Sequence, residues 1–388
     1  MSDNRLFTVQ LKPGFYKNSS SLDSKGYWID GDKVRFRDGK PEKLGGWLPA
    51  TSETLKGVSR KAFTWDNRNG RRFTAFGTTE GLFILSGGEI FNATPIDKDE
   101  TFTDALSTTN SSSIVSINFP SHQKTIGDNI IVDSQQTAVG GITLDGEYQI
   151  VGVIDGDNFE VDAGVPANAD ETNAGGALAI RLEISKGLVS NTPLDGFGSG
   201  GFGLGFYGLA TTNSTLTKPL RTWSISKWGD GIVVSPSGGA IYFWDFDIGF
   251  VDTNRATIIP NAPKQNSIVT VSDKIRQVVA FGTEEIISGE FNPLLVRWSS
   301  SENFNDWTPT DFNEAGDFPL ASGQEIKTVK ASKTETIVGT DTTAFAMRFR
   351  GEPFYFGFDT LANNSEFLSP SCATEVNGVV YWMGNGSF

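Results

Sequence analysis

A short turn built on Gly-Thr recurs along the chain and constrains the fold more than any other feature of the sequence. Phe-Gly-Thr stands at 76–78 and at 281–283, Val-Gly-Thr stands at 338–340, and fainter copies lie at Ser237 and at 383–385. From Ser237 onward the copies are about 45 to 57 residues apart, and alternating apolar runs such as "AIYFWD" and "AFAMRF" flank them. A period of this size, with several short strands per repeat, is typical of β-propeller blades.

A single blade would not be stable alone, because a lone four-stranded sheet leaves both faces in water. Blades stacked radially bury those faces and leave only short edges. The composition agrees: 44 glycines suit tight turns, 29 phenylalanines suit pleated surfaces, and no long run has helical apolar spacing. The sequence therefore predicts an all-β protein of β-propeller-like repeated blades. The alternative is a β-sandwich whose turns are similar by coincidence.

Two segments interrupt the repeats. The first, 97–187, is predicted to form five or six short strands with hairpin signals at Asp145-Gly146 and Asp155-Gly156, which indicates an inserted small β-barrel or β-sandwich domain. The second, 188–220, interleaves glycine with aromatic residues. It is either an ordered arm that packs on a neighbouring subunit or a flexible loop. The candidate inter-subunit residues of this arm are Phe197, Phe202, Phe206 and Tyr207.

The rest of the chain divides around these two segments. Residues 1–56 are predicted to be an N-terminal docking segment with the first strands, and 57–96 a propeller blade. Residues 221–388 are predicted to be further blades, of which the last reads as incomplete.

The charge is strongly acidic, with 32 basic against 46 acidic residues and a formal net charge of −14. Tight wrapping of nucleic acid is disfavoured, because that affinity comes from Lys and Arg neutralising phosphates. A channel through which DNA slides without sticking is compatible with an acidic wall. Acidity that only aids solubility explains the same composition.

Cysteine and histidine are nearly absent. The chain has one cysteine, Cys372, so an intrachain disulfide is not possible. It has one histidine, His122, so a metal site built on His and Cys is not expected, and a catalytic triad would have only this imidazole to use. His122 lies among polar turn residues, so we expect it at the surface. We predict no metal and no cofactor. The start of the chain has no signal-peptide core and no run approaches a membrane span, which predicts synthesis in the cytoplasm without export by the usual route.

The stretch "VRWSSSENFNDWTPT", 296–310, is similar to the Ser-x-Asp-x-Gly-x-x-Trp turn of sialidase-type propellers. Such turns lie at blade edges, where Ser and Asn bond the backbone and Trp packs beneath. A sialidase would also need an Arg cluster and a Tyr nucleophile with an acidic partner, and no such pairing is legible. We therefore predict no catalytic residues and no enzyme activity. The carboxylates beside turn residues are attributed to turns: Asp30, Asp32, Asp38, Asp245, Asp247 and Asp252.

Two stretches carry a resemblance to a known family. "GYWIDGDKVRFRDGKPEKLGGW", 26–47, resembles the N-terminal signature of the tail hub or nozzle proteins of short-tailed bacteriophages, the tail tubular or packaged-DNA stabilisation type. Residues 296–326 and 340–388 resemble its central block, and together the stretches cover roughly 100 positions. The chain departs from the family in stopping at Phe388, inside what reads as an unfinished blade.

The resemblance implies a virion structural protein, made in the host cytoplasm, in a ring of β-propeller subunits, usually six. Such a ring hangs below the portal and adaptor and encloses the DNA ejection channel. The implied partners are other copies of the chain, adaptor and portal-proximal tail proteins, tail fibre or tip proteins, and genome DNA contacted without sequence specificity. The alternative is a receptor- or glycan-binding tail protein similar to a tailspike or depolymerase propeller.

The N-terminal signature also supplies docking candidates. Trp28 and Trp47 bracket the basic run "KVRFR", which contains Arg35 and Arg37. Aromatic residues beside Arg are enriched at protein interfaces. We therefore predict that these four residues attach the chain to an upstream tail protein.

Overall fold

The computed structural model describes residues 11–17, 20, 22–46, 48–188, 220–249, 254–272, 274–352 and 354–384. The chain forms two compact units, Met1–Ser52 and Glu53–Phe388. Within these described ranges the regular elements are strands apart from one short 3₁₀ helix, so the protein is all-β as predicted. Some candidate residues lie outside the described residues, namely Trp47 and the arm residues Phe197, Phe202, Phe206 and Tyr207.

The N-terminal unit contains two small sheets. Strands β1 (Lys12–Phe15) and β2 (Tyr27–Trp28) pair in parallel, and β3 (Val34–Arg37) and β4 (Lys40–Lys43) form an antiparallel hairpin. The hairpin turn is Asp38-Gly39, with φ of 49° and 76°. Two successive positive φ values are what a two-residue hairpin loop requires. Residues Val34–Arg37 of the basic run "KVRFR" thus form the first strand of this hairpin.

The second unit begins with a four-stranded antiparallel sheet, which we call blade A. Its strands are β5 (Ser59–Asp66), β6 (Arg72–Thr78), β7 (Leu82–Ser86) and β8 (Glu89–Asn92), and each strand pairs with the next.

An inserted domain follows as one eight-stranded antiparallel sheet that curls into a nearly closed barrel. Its strands are β9 (Ile96–Thr103), β10 (Leu106–Thr108), β11 (Ile114–Asn118), β12 (Asn129–Asp133), β13 (Gly146–Val153), β14 (Asn158–Asp162), β15 (Glu171–Ala174) and β16 (Ala177–Glu183). They are ordered β15-β10-β11-β14-β13-β12-β16-β9. Apolar side chains that include Ile117, Phe119 and Phe159 fill the interior.

The insertion has more strands than the five or six that the sequence predicted, since the structure forms eight. Strands β9 ("IDKDETFT") and β15 ("ETNA") are too polar to read as strands, and β10 has only three residues. Of the two hairpin signals, Asp155-Gly156 does join β13 to β14. Asp145-Gly146 instead ends the long connection from β12 to β13, so that prediction was wrong.

Three more four-stranded antiparallel sheets and a final two-stranded sheet follow the insertion. Blade B consists of β17 (Trp223–Trp228), β18 (Gly231–Pro236), β19 (Tyr242–Trp244) and β20 (Thr257–Ile258), with the 3₁₀ helix Phe246–Ile248 after β19. Blade C consists of β21 (Asn266–Ser272), β22 (Gln277–Glu284), β23 (Phe291–Trp298) and β24 (Gly316–Pro319). Blade D consists of β25 (Ile326–Ala331), β26 (Thr336–Thr340), β27 (Thr343–Gly351) and β28 (Tyr355–Asn363), and sheet E of β29 (Ala373–Val376) and β30 (Val379–Trp382).

The first strands of successive sheets lie side by side, which is the arrangement of propeller blades about an axis. β5 contacts β17, β17 contacts β21, β21 contacts β25, and β25 contacts β29. Blade B is buried on both faces: Ile232 and Val234 pack toward blade A, while Val233 between them packs toward blade C. Side chains alternate between the faces of a strand, so a blade in the middle of the stack needs apolar residues at consecutive positions.

The Gly-Thr repeat marks the end of the second strand in each sheet. β6, β22 and β26 carry it, and the fainter copies follow β18 and β30. In blade A the hydroxyl of Thr78 accepts from the N–H of Gly81 and donates to its C=O, both at 3.1 Å. Thr340 closes the corresponding turn of blade D with Thr343 in the same way. In blades A and D the threonine therefore fixes the turn into the third strand.

In blades A and D the glycine of the repeat makes room for an aromatic ring of the next sheet. A Cβ at Gly77 would lie 2.3 Å from the indole of Trp223 in blade B, and a Cβ at Gly339 would lie 2.5 Å from the ring of Phe367, just before sheet E. The indole of Trp223 is held in place, because its Nε1 donates to the C=O of Thr78 at 2.8 Å. Close packing between sheets, and not a positive φ, requires glycine here.

We expect Gly77→Ala to lower the free energy of unfolding by about 1–3 kcal/mol, since the added methyl group meets an indole that cannot move without breaking its hydrogen bond. Urea unfolding followed by circular dichroism measures this loss. Gly156→Ala is the matched control, because a Cβ at Gly156 meets no atom within 4 Å. Equal losses in the two variants would contradict the role assigned to Gly77.

Candidate functional site

The N-terminal unit presents an aromatic cluster that is little buried. The rings of Trp28 and Phe36 lie 6.3 Å apart, and Phe36 meets Phe15 edge-on at 5.2 Å. Among the residues described in this unit, Ser24 alone is buried. Leu48 is 91% exposed. The unit therefore offers apolar surface without a core that covers it.

The basic docking candidates flank this cluster. Alternation along β3 turns Phe36 toward the aromatic cluster and leaves Arg35 and Arg37 exposed. Arg35 forms an ion pair with Glu42 on β4. Trp28, Arg35 and Arg37 therefore lie in the same small unit, and both arginine side chains are exposed.

The sialidase-like turn connects β23 to β24 and reaches over blade B. Trp307 is 1% exposed and belongs to the apolar cluster between blades B and C, and its Nε1 donates to the C=O of Phe304 at 2.6 Å. The ring of Phe304 meets Trp228 edge-on at 5.3 Å. Trp therefore packs beneath the turn as predicted. The turn serves to fasten blade C to blade B.

The polar side chains of the turn differ in part from the prediction. Asn303 does bond its own backbone, since its Oδ1 accepts from the N–H of Asn305 at 3.1 Å. Ser300 instead donates to Oε2 of Glu314 at 2.7 Å, and the N–H of Ser301 donates to the same oxygen at 3.1 Å. Glu314, which sequence reasoning missed, therefore closes the turn from its far end. Hydrogen bonds from Ser300 and then from the Ser301 backbone hold the pKa of Glu314 below its ordinary value.

A carboxylate with a lowered pKa contributes stability that is present above its unfolded pKa and is lost as the pH falls through its folded pKa. We expect Glu314→Gln to cost about 0.5–1 kcal/mol at pH 7, at the low end for charge-assisted hydrogen bonds because solvent screens this carboxylate. Urea unfolding at neutral and at acid pH measures the difference. Wild type and variant should converge in acid, and a gap that stays constant with pH would contradict this role.

Two of the turn carboxylates accept hydrogen bonds from the backbone of their own turns, as the sequence predicts. Oδ1 of Asp245 accepts from the N–H of Asp247 at 2.9 Å at the start of the 3₁₀ helix. Oδ1 of Asp30 accepts from the N–H of Gly31 at 2.8 Å. Asp252 lies outside the described residues.

His122 was expected at the surface, and that expectation was wrong because the residue is 1% exposed. Its Nδ1 accepts from the N–H of Lys124 at 2.9 Å, and Nε2 lies 2.9 Å from the carbonyl oxygen of Asp155. Its ring meets Phe159 edge-on at 5.1 Å. The polar neighbours suggested a surface turn, but that turn folds back over the barrel of the insertion. His122 therefore has a structural role.

A buried polar cluster joins the insertion to blades A and B, and sequence reasoning did not find it. Glu183, at the end of β16, has a side chain that is 2% exposed, and its Oε1 accepts from Nη1 of Arg255 at 2.8 Å. Asn92 of blade A and Asn129 of the insertion approach the same carboxylate at 3.4 Å. Burial raises the pKa of Glu183, and the positive charge of Arg255 opposes that rise.

The first hairpin turns of blades A, B and C meet around a basic cleft at one end of the propeller axis. A cavity of about 410 Å³ is lined by Arg68, Lys227, Asp230 and Arg276. Arg68 pairs with Asp230 at 2.9 Å, Arg276 pairs with Glu302 at 2.8 Å, and Nζ of Lys227 donates to the C=O of Asp66 at 2.7 Å. Positive charge thus gathers here on a chain whose net charge is −14.

A second cavity, of about 270 Å³, opens between blades C and D at the same end. Phe281, Met347 and Phe356 line it with apolar surface, and Lys274 and Glu335 line it with charge. Nζ of Lys274 donates to the C=O of Thr334 across the two blades at 3.0 Å. This cavity is formed by the packing of two neighbouring blades, so its lining residues are far apart in sequence.

Comparisons with known proteins place few constraints on this chain. No protein-family model matches it, and no curated protein matches it in sequence. The structure of the phage phi92 endosialidase is similar over 80% of this chain and 48% of that one, with 12% identity and a TM-score of 0.22. The chain thus spans about half the length of that structure. Because this superposition is so loose, the propeller-like arrangement is defined by the strand pairing and packing within this chain and not by the comparison.

The part of the chain that the structure describes contains neither a cluster of metal ligands nor a membrane-spanning helix. No group of three or more His, Cys, Asp or Glu residues there is placed to hold a metal ion. No helix in the same part of the chain has the length and hydropathy needed to cross a membrane.

Proposed function

We propose that this chain is a structural protein of a short-tailed bacteriophage virion, a subunit of the nozzle or hub ring that encloses the DNA ejection channel below the portal and adaptor. The stretches that resemble this family occupy defined parts of the fold. Residues 26–47 contain β2, β3 and β4, while 296–326 and 340–388 contain the sialidase-like turn, two strands of blade D and sheet E.

The observation that carries the proposal is the N-terminal unit, in which the aromatic cluster is only partly buried and Ser24 alone is buried among the described residues. Small units of about 50 residues bury little of their own surface, and exposed apolar patches mark contact sites. The Trp28–Phe36 cluster beside Arg35 and Arg37 therefore suits attachment to an upstream adaptor or portal-proximal protein.

The mechanism in this proposal is geometric and electrostatic, and it involves no catalytic step. Six copies close into a ring, and tail fibre or tip proteins attach below it. A net charge of −14 keeps the channel wall from binding phosphates, so DNA slides through without sequence-specific contacts.

The test is incorporation into virions. We expect Trp28→Ala and a chain lacking residues 1–52 to be lost from purified tails, measured by immunoblot and by negative-stain imaging of the tail tip. Phe312→Ala, which removes a ring that is 98% exposed on blade C, is the matched control and should be incorporated normally. Normal incorporation of the shortened chain would overturn the docking role. A purified chain that never forms rings would overturn the proposal that it is a nozzle subunit.

A receptor-binding tail protein is the second candidate, and one observation favours it. The insertion exposes apolar side chains on and just after β13, where Val151, Val153 and Ile154 are 43%, 38% and 56% exposed. If these residues contact the host surface, Val151→Ser with Val153→Ser should abolish cell binding by the full chain and leave incorporation intact. Release of oligosaccharide from host polysaccharide would instead indicate an enzyme.

A further inference from the structure

A polar cavity lies on the propeller axis, directly beneath the basic cleft. It has a volume of about 130 Å³, and its walls come from the first strands of blades A to D, with Pro370 and Ser371 just ahead of sheet E. Residues 222–226, at the start of β17, and 267–270 of β21 line it, and the next residues of both strands line the cleft above. The two spaces therefore follow one another along the axis.

The cavity is rich in hydrogen-bond donors. Lys61 of β5 lines it together with the hydroxyls of Ser226, Ser267 and Thr270. None of these three hydroxyls makes a side-chain hydrogen bond to a described residue, and no carboxylate is among the lining residues. Donors inside a protein need acceptors, and an ammonium group can only donate.

A second lysine adds to the positive charge. Burial lowers the pKa of Lys61, and the positive charge of Lys330 on β25 lowers it further. Among the described residues, neither lysine forms an ion pair with a carboxylate. Two ammonium groups placed together repel one another unless an anion lies between or beside them.

We propose that the axial cavity is a binding site for a small oxyanion that carries a phosphate or carboxylate group, held by Lys61 and the surrounding hydroxyls and attracted also by the nearby positive charge of Lys330. About 130 Å³ gives room for such an ion with a few water molecules, at ~30 Å³ per water in the liquid. The basic cleft of Lys227 and Arg276 forms the entrance and attracts the ion from solution. This site is separate from the docking surface and does not depend on the proposed tail function.

The test is isothermal titration calorimetry of the full-length protein with inorganic phosphate, at an ionic strength held constant with sodium chloride. We expect saturable binding by wild type, and a Kd at least tenfold weaker in Lys61→Gln and in Lys330→Gln. Lys264→Gln, at an exposed lysine outside the cavity, is the matched control and should bind as wild type does. Without phosphate, Lys61→Gln should melt no lower than wild type, because removing one lysine relieves the repulsion.

Two further probes distinguish the sources of the anionic group. Citrate competing with phosphate would support a site for free carboxylate ions as well, and competition by a five-residue oligothymidylate would indicate a phosphate carried by a larger molecule. Equal phosphate binding by wild type and Lys61→Gln would overturn the proposal. So would the absence of binding heat in wild type, or a melting temperature of Lys61→Gln well below that of wild type.

Discussion

Replacing Trp307 by alanine is expected to lower the free energy of unfolding by about 3–5 kcal/mol, the range for deleting a large buried aromatic side chain. The indole is 1% exposed, in the cluster between blades B and C that also holds Trp228 and Ile241. Its loss leaves a cavity and removes the hydrogen bond to Phe304 that holds the turn over blade B. Urea unfolding followed by far-ultraviolet circular dichroism measures the change.

Phe312→Ala is the matched control for this prediction, because it removes an aromatic ring from the same turn that is 98% exposed. Surface truncations of this kind change stability by no more than about 0.5 kcal/mol. Comparable losses in the two variants would show that Trp307 does not fasten blade C to blade B. The turn would then need another explanation, such as a contact with a sugar or a partner.

The second large effect is expected at the buried ion pair between the insertion and blade B. Arg255→Met should cost about 3–5 kcal/mol, because it leaves the carboxylate of Glu183 buried without its main charge partner. The double variant Arg255→Met with Glu183→Met should recover most of this loss, since neither charge is then buried alone. Chemical denaturation of the two single variants and the double variant gives the coupling free energy between Arg255 and Glu183 directly.

The cost of Arg255→Met should depend on pH. A carboxyl whose folded pKa is raised contributes stability that is present below its unfolded pKa and is lost as the pH rises through its folded pKa. Burial already raises the pKa of Glu183, and removal of Arg255 raises it further. The variant should therefore approach wild type in acid and fall behind it at neutral pH. Arg72→Met, in the exposed pair with Asp66, is the matched control, and an equal effect there would contradict the argument.

The blades were predictable because their signals are local. Thr78 and Thr340 each bond a residue three positions away, and alternating apolar runs define strands without reference to partners. The composition of the sequence changes near Ile96 and again after Glu183, and strands β9 to β16 of the insertion run between these positions. Its polar strands β9 and β15 were missed because their stability comes from pairing with distant strands, and their own residues do not favour a strand.

The candidate surfaces also divide into those whose residues are close in the sequence and those whose residues only the fold brings together. The proposed docking residues could be chosen from the sequence because Trp28, Arg35 and Arg37 lie within a few residues of one another. Lys61 and Lys330 are far apart in the sequence, and only the closing of blades around an axis brings them near each other. Glu183 and Arg255 likewise meet only because the insertion folds back on blade B.

The sequence by itself determined an all-β chain of repeated blades with an inserted domain, because turn chemistry and side-chain alternation act over a few residues. Only the tertiary structure decided that Gly77 admits the ring of Trp223, that His122 is buried, and that Lys61 lines the axial cavity. The physical reason is that close packing, burial and Coulomb interaction depend on distance in space. Residues that are remote in the chain determine the packing, the burial and the Coulomb interactions at each site.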